Sequence, residues 1–295
     1  MQIIDSINGI RQKIETFKKN NFQIGFIPTM GALHDGHLSL IREARKENDT
    51  IIVSIFINPL QFGENEDFNR YPRPFKNDCL LLSQENADIL FCPNREEIYP
   101  VSFCTSVTLK KLEDKLCGKS RPGHFSAVAT IVLKLFNILK PDIVYFGQKD
   151  FQQTVIIKKM VSDLNVDTKI KVLPIVRDKD GLALSSRNAY LGNDERKDAL
   201  CLFKALTKAK HMINSGITLN REIINAMKSV INDYKSAKVD YISIVDQNNL
   251  EDTENAKSGD VIALAVKIGN TRLIDNYIIP FFVFIFYSFT SFLIY

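Results

Sequence analysis

The chain has 295 residues, 45% of them apolar and 24% charged, enough for two domains of ordinary size and typical of a soluble globular protein. Its 38 basic and 34 acidic side chains leave a net charge of +4. The basic pairs (Lys18-Lys19, Lys110-Lys111, Lys158-Lys159) are scattered, which argues against a nucleic-acid stripe. The five cysteines, Cys79, Cys92, Cys104, Cys117 and Cys201, form no Cys-x-x-Cys pair and fit no zinc spacing. Residues 1–20 are polar and helix-like, not a secretory leader. Reduced structural thiols in a cytoplasmic protein follow.

In chain order, 22–28 reads as a buried strand and 37–48 as a helix with apolar residues at three-four spacing. The run "TIIVSIFI" at 50–57 is the clearest strand. A helix at 76–85 leads to a strand at 87–91. The helix at 125–139 stops before Pro141. A strand at 143–146, a helix at 151–164 and a strand at 169–176 complete the alternation. Such a sequence predicts an α/β fold, a Rossmann-like parallel sheet covered by helices on both faces. Beyond Asn188 the pattern changes to helices at 194–212 and 221–234 and short strands at 239–245, 261–268 and 271–275, a smaller α+β domain. The predicted division is 1–175, 176–276 and an apolar tail over 277–295.

The unusual residues cluster after the strands. "TMGALHDGH" follows the first, "NPLQF" (58–62) the second, "GQKDFQQ" (147–153) the strand at 143–146, and "RDKDGLALSSRN" (177–188) the last. In a parallel sheet these loops leave one carboxyl edge, where open α/β sheets bind ligands. Gly31 lets the backbone approach a ligand closely. Gly36 and His37 stand where a helix begins, with free N–H groups and the positive end of the dipole suited to phosphate. His34 and His37, three apart, face one side of the first turn. As imidazolium rings they would offset charge developing at phosphorus. On the residues alone, a metal site or a plain surface pair stays open for the two histidines. Lys149-Asp150 could equally be a surface ion pair, Ser185-Ser186-Arg187 a helix cap, and Asn58 and Gln61 a turn. His124 stays open in the same way, and His211 has no assigned role.

His34-Asp35-Gly36-His37 matches the His-x-Gly-His signature of nucleotidylyltransferases. Together with "PTMGALHDGHLSLI", "VSIFINPLQF", "YPR", "EIYP", "SRPGHFSAVATIV", "FGQKDFQQ", "DGLALSSRN" and "RLIDN", in that order, the chain over 1–276 resembles the pantothenate synthetase (pantoate–β-alanine ligase) family. Gln148 stands where many members carry glutamate. The resemblance implies that ATP and (R)-pantoate form pantoyl adenylate and pyrophosphate. β-Alanine then attacks, giving pantothenate and AMP, with Mg2+ on the phosphates and usually in a homodimer.

The same resemblance implies roles. Met30, Gly31, Ala32, Leu33, His34, Asp35, Gly36 and His37 would form the first part of the ATP site, with His37 as proton donor and His34 on phosphate. Gly147, Gln148, Lys149 and Asp150 would close over the nucleotide, with Lys149 catalytic on the phosphates. Val176 would touch adenine, and Leu184, Ser185, Ser186 and Arg187 would clamp the triphosphate. Gln61 would hold pantoate and lie near β-alanine, Gln153 would hold pantoate, and Asp78 would help to place Mg2+.

Two other readings are a different His-x-Gly-His adenylyltransferase and a non-catalytic, membrane-tethered relative. The tail "YIIPFFVFIFYSFTSFLIY" has no charge in 19 residues. It is long enough for a single membrane span and equally compatible with packing on the body or a partner, or with an unselected extension.

Overall fold

The computed structural model describes residues 1–64 and 66–280. Its strands are β1 (Gln2–Ile4), β2 (Ile24–Thr29), β3 (Thr50–Ile55), β4 (Ile89–Phe91), β5 (Ile143–Gly147), β6 (Lys169–Leu173), β7 (Ala237–Val245), β8 (Val261–Ile268) and β9 (Thr271–Ile278). Its helices are α1 (Ile7–Lys19), α2 (Asp35–Arg45), α3 (Phe75–Gln84), α4 (Arg95–Ile98), α5 (Cys117–Ser120), α6 (His124–Leu139), α7 (Phe151–Asp163), α8 (Asn193–Asp198), α9 (Cys201–Asn214) and α10 (Asn220–Asn232).

The first six strands form one all-parallel sheet in the order β1-β4-β3-β2-β5-β6. The chain builds outward from β2 through β3 and β4, then returns to place β5 on the other side of β2. The carboxyl ends of β2 and β5 are therefore the topological switch point. Helices cover both faces, so Ile51, Ile52 and Val53 of β3 are all buried, as a strand with two covered faces requires. The apolar circumference of α6 has the same origin: 11 of its residues are buried between the sheet and its neighbours.

The second sheet is antiparallel, β7-β8-β9. Its central strand is apolar on both faces. Ile262, Leu264, Val266 and Ile268 pack with α9 and α10, while Val261 and Ala263 join the core of the parallel sheet. The two-part α/β plus α+β organisation expected from the sequence is present.

The differences are local. β1 pairs with β4 where only helix-like residues were expected. The helix read at 194–212 is two helices, α8 and α9, meeting near Ala199 and Leu200. β6 ends at Leu173, because Pro174 has no N–H for the ladder. β9 runs to Ile278, pairing Tyr277 with Ile262 and Ile278 with Val261. Ile279 is 1% exposed in the second core. The boundary at 276 is thus too early: the first residues of the apolar tail finish the sheet. The rest of that tail, 281–295, lies outside the described residues. Among the described residues no helix is long and apolar enough to cross a membrane.

Candidate active site

The β2–α2 connection is shaped from behind. Gly31 and Ala32 both take positive φ, 79° and 50°, a conformation glycine adopts freely and other residues at a cost. A Cβ on Gly31 would lie 3.0 Å from Asp78 Oδ2 and 3.1 Å from Ile55 Cγ2. The backbone N–H groups of Ala32 and Leu33 donate to the two Asp78 oxygens, each at 2.9 Å. Burial pushes the Asp78 carboxyl up, and these two amides oppose the shift. Gly31 is therefore required by its positive φ and by Asp78 beneath the loop. Asp78 lines a separate recess with Met30, Gly31, Phe68, Arg73 and Phe75. The magnesium role expected of it finds no support in this placement: its oxygens hold the loop.

The two histidines cap their own helix. His34 Nδ1 accepts from Gly36 N–H at 3.1 Å, and the His34 N–H donates to His37 Nδ1 at 3.4 Å. A Cβ on Gly36 would lie 2.9 Å from the His34 ring, so glycine makes room for this cap. An Nδ1 that accepts cannot carry the proton of a neutral ring. Both rings therefore hold it on Nε2. Their centroids are 4.1 Å apart. Burial, followed by the positive charge of Lys149, lowers His34 to about 4. Burial, then His34 and Lys149, holds His37 well below its ordinary value. Both shifts favour the neutral rings over the imidazolium forms expected from the sequence, each ring keeping an N–H donor on Nε2.

Gln61 ends a 3-10 turn, Pro59–Gln61, whose cap is the buried Asn58. Asn58 Oδ1 accepts from Tyr99 OH at 3.0 Å. Its Nδ2 donates to Gln61 Oε1 and to Ala127 O, both at 3.3 Å. Ala127 O can only accept, so the Asn58 amide is oriented, and it orients Gln61 in turn. His124 Nδ1 donates to Gln61 O at 2.7 Å, which leaves Nε2 to accept from Arg121 Nη1 at 2.9 Å. Burial lowers His124 to about 4, with Arg121 acting in the same direction. Arg121 is forked onto Glu66, at 2.5 Å through both nitrogens.

From the opposite wall come Gly147 at the end of β5, Lys149 and Asp150 just after it, and Gln153 in the first turn of α7. The loop after β6 supplies Val176 and Leu184–Arg187. Ser185 caps the turn by accepting from Arg187 N–H at 3.3 Å, and Ser186 Oγ donates to Ala32 O at 2.9 Å, tying this loop to the β2 loop. Arg187 is forked onto Asp67 at 2.8 and 2.9 Å and lies 6.0 Å from the Tyr71 ring.

These groups meet in one cleft of ≈ 1350 Å³, its open mouth included. It brings together Met30, His34, Gly36, His37, Gln61, Gly147, Lys149, Asp150, Gln153, Val176 and Leu184, Ser185, Ser186 and Arg187. Gly31, Ala32, Leu33, Asp35 and Gln148 do not line it. The first three face Asp78, Asp35 is exposed at the start of α2, and Gln148 turns to Asn276. Tyr71 and Arg121 line the cleft without having been expected there, and His124, left open by the sequence, joins them. All three lie in stretches quoted for the family resemblance, "YPR" and "SRPGHF". Among the described residues no three His, Cys, Asp or Glu side chains group around a metal position. Asp150 is the one carboxylate lining the cleft among them.

The family description "Pantoate-beta-alanine ligase" matches residues 2–278. Pantothenate synthetase of Caldicellulosiruptor saccharolyticus is 50% identical over 279 residues, covering 95% of this chain and 99% of the relative. That of Sulfurihydrogenibium sp. is 51% identical over 277 residues, covering 94% and 99%. The crystal structure of pantothenate synthetase from Thermus thermophilus superposes with a TM-score of 0.90 at 38% identity, over 95% of this chain and 100% of that one. Pantoate-beta-alanine ligase from Francisella tularensis, crystallised with beta-gamma ATP and beta-alanine, gives 0.80 at 38% identity, over 94% and 97%. With its fold, its switch-point cleft and nearly its whole length accounted for, the chain belongs to the pantoate–β-alanine ligase family and is a ligase.

Proposed function

We propose that the cleft binds ATP and (R)-pantoate, forms pantoyl adenylate with release of pyrophosphate, and passes the acyl group to β-alanine to give pantothenate and AMP. The observation that carries this reading is the charge pattern at the switch point. Two neutral Nε2–H donors and one lysine without a carboxylate partner among the described residues face two primary amides. The Francisella relative, crystallised with beta-gamma ATP and beta-alanine, supports nucleotide and amine as ligands of this cleft.

Pantoate carboxylate attacks the α-phosphorus, and negative charge moves to the departing pyrophosphate. His34 and His37 donate through Nε2–H to phosphate oxygens, and Lys149 offsets the charge that grows there. The polyphosphate also favours the protonated rings, so binding raises the two histidine pKa values and readies His37 as proton donor. Gln61 and Gln153 hold pantoate with groups that donate and accept but carry no charge. That matters because carboxylate and phosphate already repel each other. In the second half-reaction the β-alanine amine attacks the pantoyl carbonyl beside Gln61, and AMP leaves.

The donor set suits a magnesium ion carried on the nucleotide. Asp150 would be its one protein ligand, with phosphate oxygens and water completing the shell. Bound there, it would neutralise phosphate charge. The same reading takes the enzyme as a cytoplasmic homodimer.

The test is pyrophosphate release from ATP in the absence of β-alanine. Pantoate should trigger it, and unrelated hydroxy-acids should not. Release that needs pantoate and β-alanine together would remove the adenylate route.

A further inference from the structure

Asn276 is 3% exposed, at a distance in sequence from every loop of the cleft. It sits near the end of β9, one residue after Asp275. Its Nδ2 donates to two consecutive carbonyls, Gln148 O and Lys149 O, both at 3.0 Å. Its Oδ1 accepts from Gln148 Nε2, also at 3.0 Å. Carbonyls only accept, so the NH2 of Asn276 must face them, and the orientation follows from the partners. All three hydrogen bonds fall on the 3-10 turn Gln148–Asp150 that carries Lys149. That turn has no side-chain cap of its own.

Asp275 braces a second loop from the same strand. Its carboxylate, 2% exposed, takes the fork of Arg177 at 2.6 and 2.9 Å, and also accepts from Asn276 N–H at 2.8 Å. Arg177 directly follows Val176 in the wall of the cleft. Two adjacent residues of β9 thus hold the loops after β5 and after β6.

We infer that Asn276 is a positioning residue for Lys149: its amide fixes the backbone of the turn so that the ammonium group meets the phosphates. The inference rests on the nucleotide reading of the cleft. A long, flexible side chain such as lysine keeps its aim only if its backbone is held. A displacement of about 1 Å in a catalytic group costs up to about a hundredfold in rate. Gln148 contributes one of the three bonds and leaves both carbonyl contacts intact when shortened, so it matters less.

The experiment measures pantoate-dependent pyrophosphate release and pantoate affinity in the full chain. Asn276→Ala should lower kcat by about tenfold or more while the pantoate Kd stays within about twofold. Gln148→Ala should cost no more than about threefold. In a double-mutant cycle, Asn276→Ala in the Lys149→Ala background should add no further loss, because its effect runs through that lysine. Additive losses would mean a general structural part and would overturn the inference. So would an Asn276→Ala enzyme within about threefold of wild type while Lys149→Ala is crippled. If Lys149→Ala itself is fully active, the nucleotide reading falls first and the inference falls with it. Should Asn276→Ala not fold, Asn276→Asp keeps the volume, replaces the double donor by an acceptor facing two carbonyls, and should show the same loss and the same absence of additivity.

Discussion

On one side of the cleft, His34 and His37 are kept uncharged by burial and by Lys149, with His34 also acting on His37. On the other, Arg121 and Arg187 are already forked onto Glu66 and Asp67. The histidine side offers N–H donors whose tautomer the backbone has chosen. The arginine side offers cations that a ligand must win from a carboxylate. Lys149 is the one cation lining the cleft that has no carboxylate partner among the described residues. The difference teaches where transition-state charge can be met without first breaking something: at Lys149 and the two Nε2–H groups. Preorganised donors of that kind give a phosphoryl-activating site more of its rate than any other single effect.

The largest effects should therefore come from Lys149 and His37. Lys149→Ala and His37→Ala should each lower the pyrophosphate-forming rate by about two orders of magnitude or more, roughly 3 kcal/mol of transition-state stabilisation. Thermal unfolding should change little for Lys149→Ala, since its side chain makes no hydrogen bond or ion pair among the described residues. Steady-state kinetics beside a melting curve checks both halves. Either variant within about threefold of wild type would take that residue out of the charge-bearing side.

A second contrast is visible in pH. His34, His37 and His124 all have folded pKa values below the ordinary 6.5, His34 and His124 at about 4. Between pH 6.5 and 4 the unfolded chain binds more protons at these rings than the folded one. Stability is then complete above about 6.5 and falls as pH drops toward 4. The loss should be on the order of 2 kcal/mol at pH 5 for each of His34 and His124, and His34→Gln should flatten the slope. Urea unfolding at pH 7 and pH 5 reads it. ATP at saturation should reverse the trend by favouring the charged rings, with proton uptake on binding measurable by calorimetry in two buffers. A wild-type stability that rises on acidification across this range would contradict the neutral pair.

Much of this contrast is legible in the sequence, and the part that is not has a definite physical character. Strands buried on both faces read as continuous apolar runs, so β2, β3 and β5 stand out. Sheet topology then forces their loops together, which brings His34, Gln61, Lys149 and Arg187 to one edge. Spacing cannot reveal what each loop rests on. The demand for glycine at position 31 comes from Asp78, 47 residues away along the chain. The tautomer of the histidines comes from two backbone amides, and their neutrality from burial and Lys149, none of which a motif records. The partners of Arg121 and Arg187 lie 55 and 120 residues off. β1 escapes a sequence reading because three residues carry too little periodicity beside a strong helix. The early end placed on β9 comes from reading Tyr277–Ile279 as part of an apolar tail when they complete a sheet.

Gln61 belongs to neither charged side, and its amide is held by Asn58. Gln61→Ala should weaken pantoate capture by roughly tenfold, the scale of one or two lost hydrogen bonds, and leave the ATP Kd within about twofold. Calorimetric titration with each ligand separates the two. A large loss of nucleotide binding would place Gln61 with the phosphate groups and blur the division between the sides.

The smallest effect should appear where the arginine side is relieved of its carboxylate. Burial raises the Asp67 carboxyl, but the Arg187 fork outweighs it and holds the group below its usual value, so Asp67 remains ionised at neutral pH. A triphosphate that engages Arg187 must displace this ion. Asp67→Asn keeps the shape and removes the charge, so Arg187 should turn to the nucleotide more readily. A partly exposed pair of this kind is worth up to about 1 kcal/mol, which bounds the gain in ATP affinity at roughly fivefold. The gain should shrink as salt is raised, because screening weakens the competition at a fork that keeps part of its exposure. Titration of ATP at two ionic strengths measures both. Weaker nucleotide binding in Asp67→Asn would mean that the carboxylate aims Arg187 at the phosphates, and the arginine side would then be as preorganised as the histidine side.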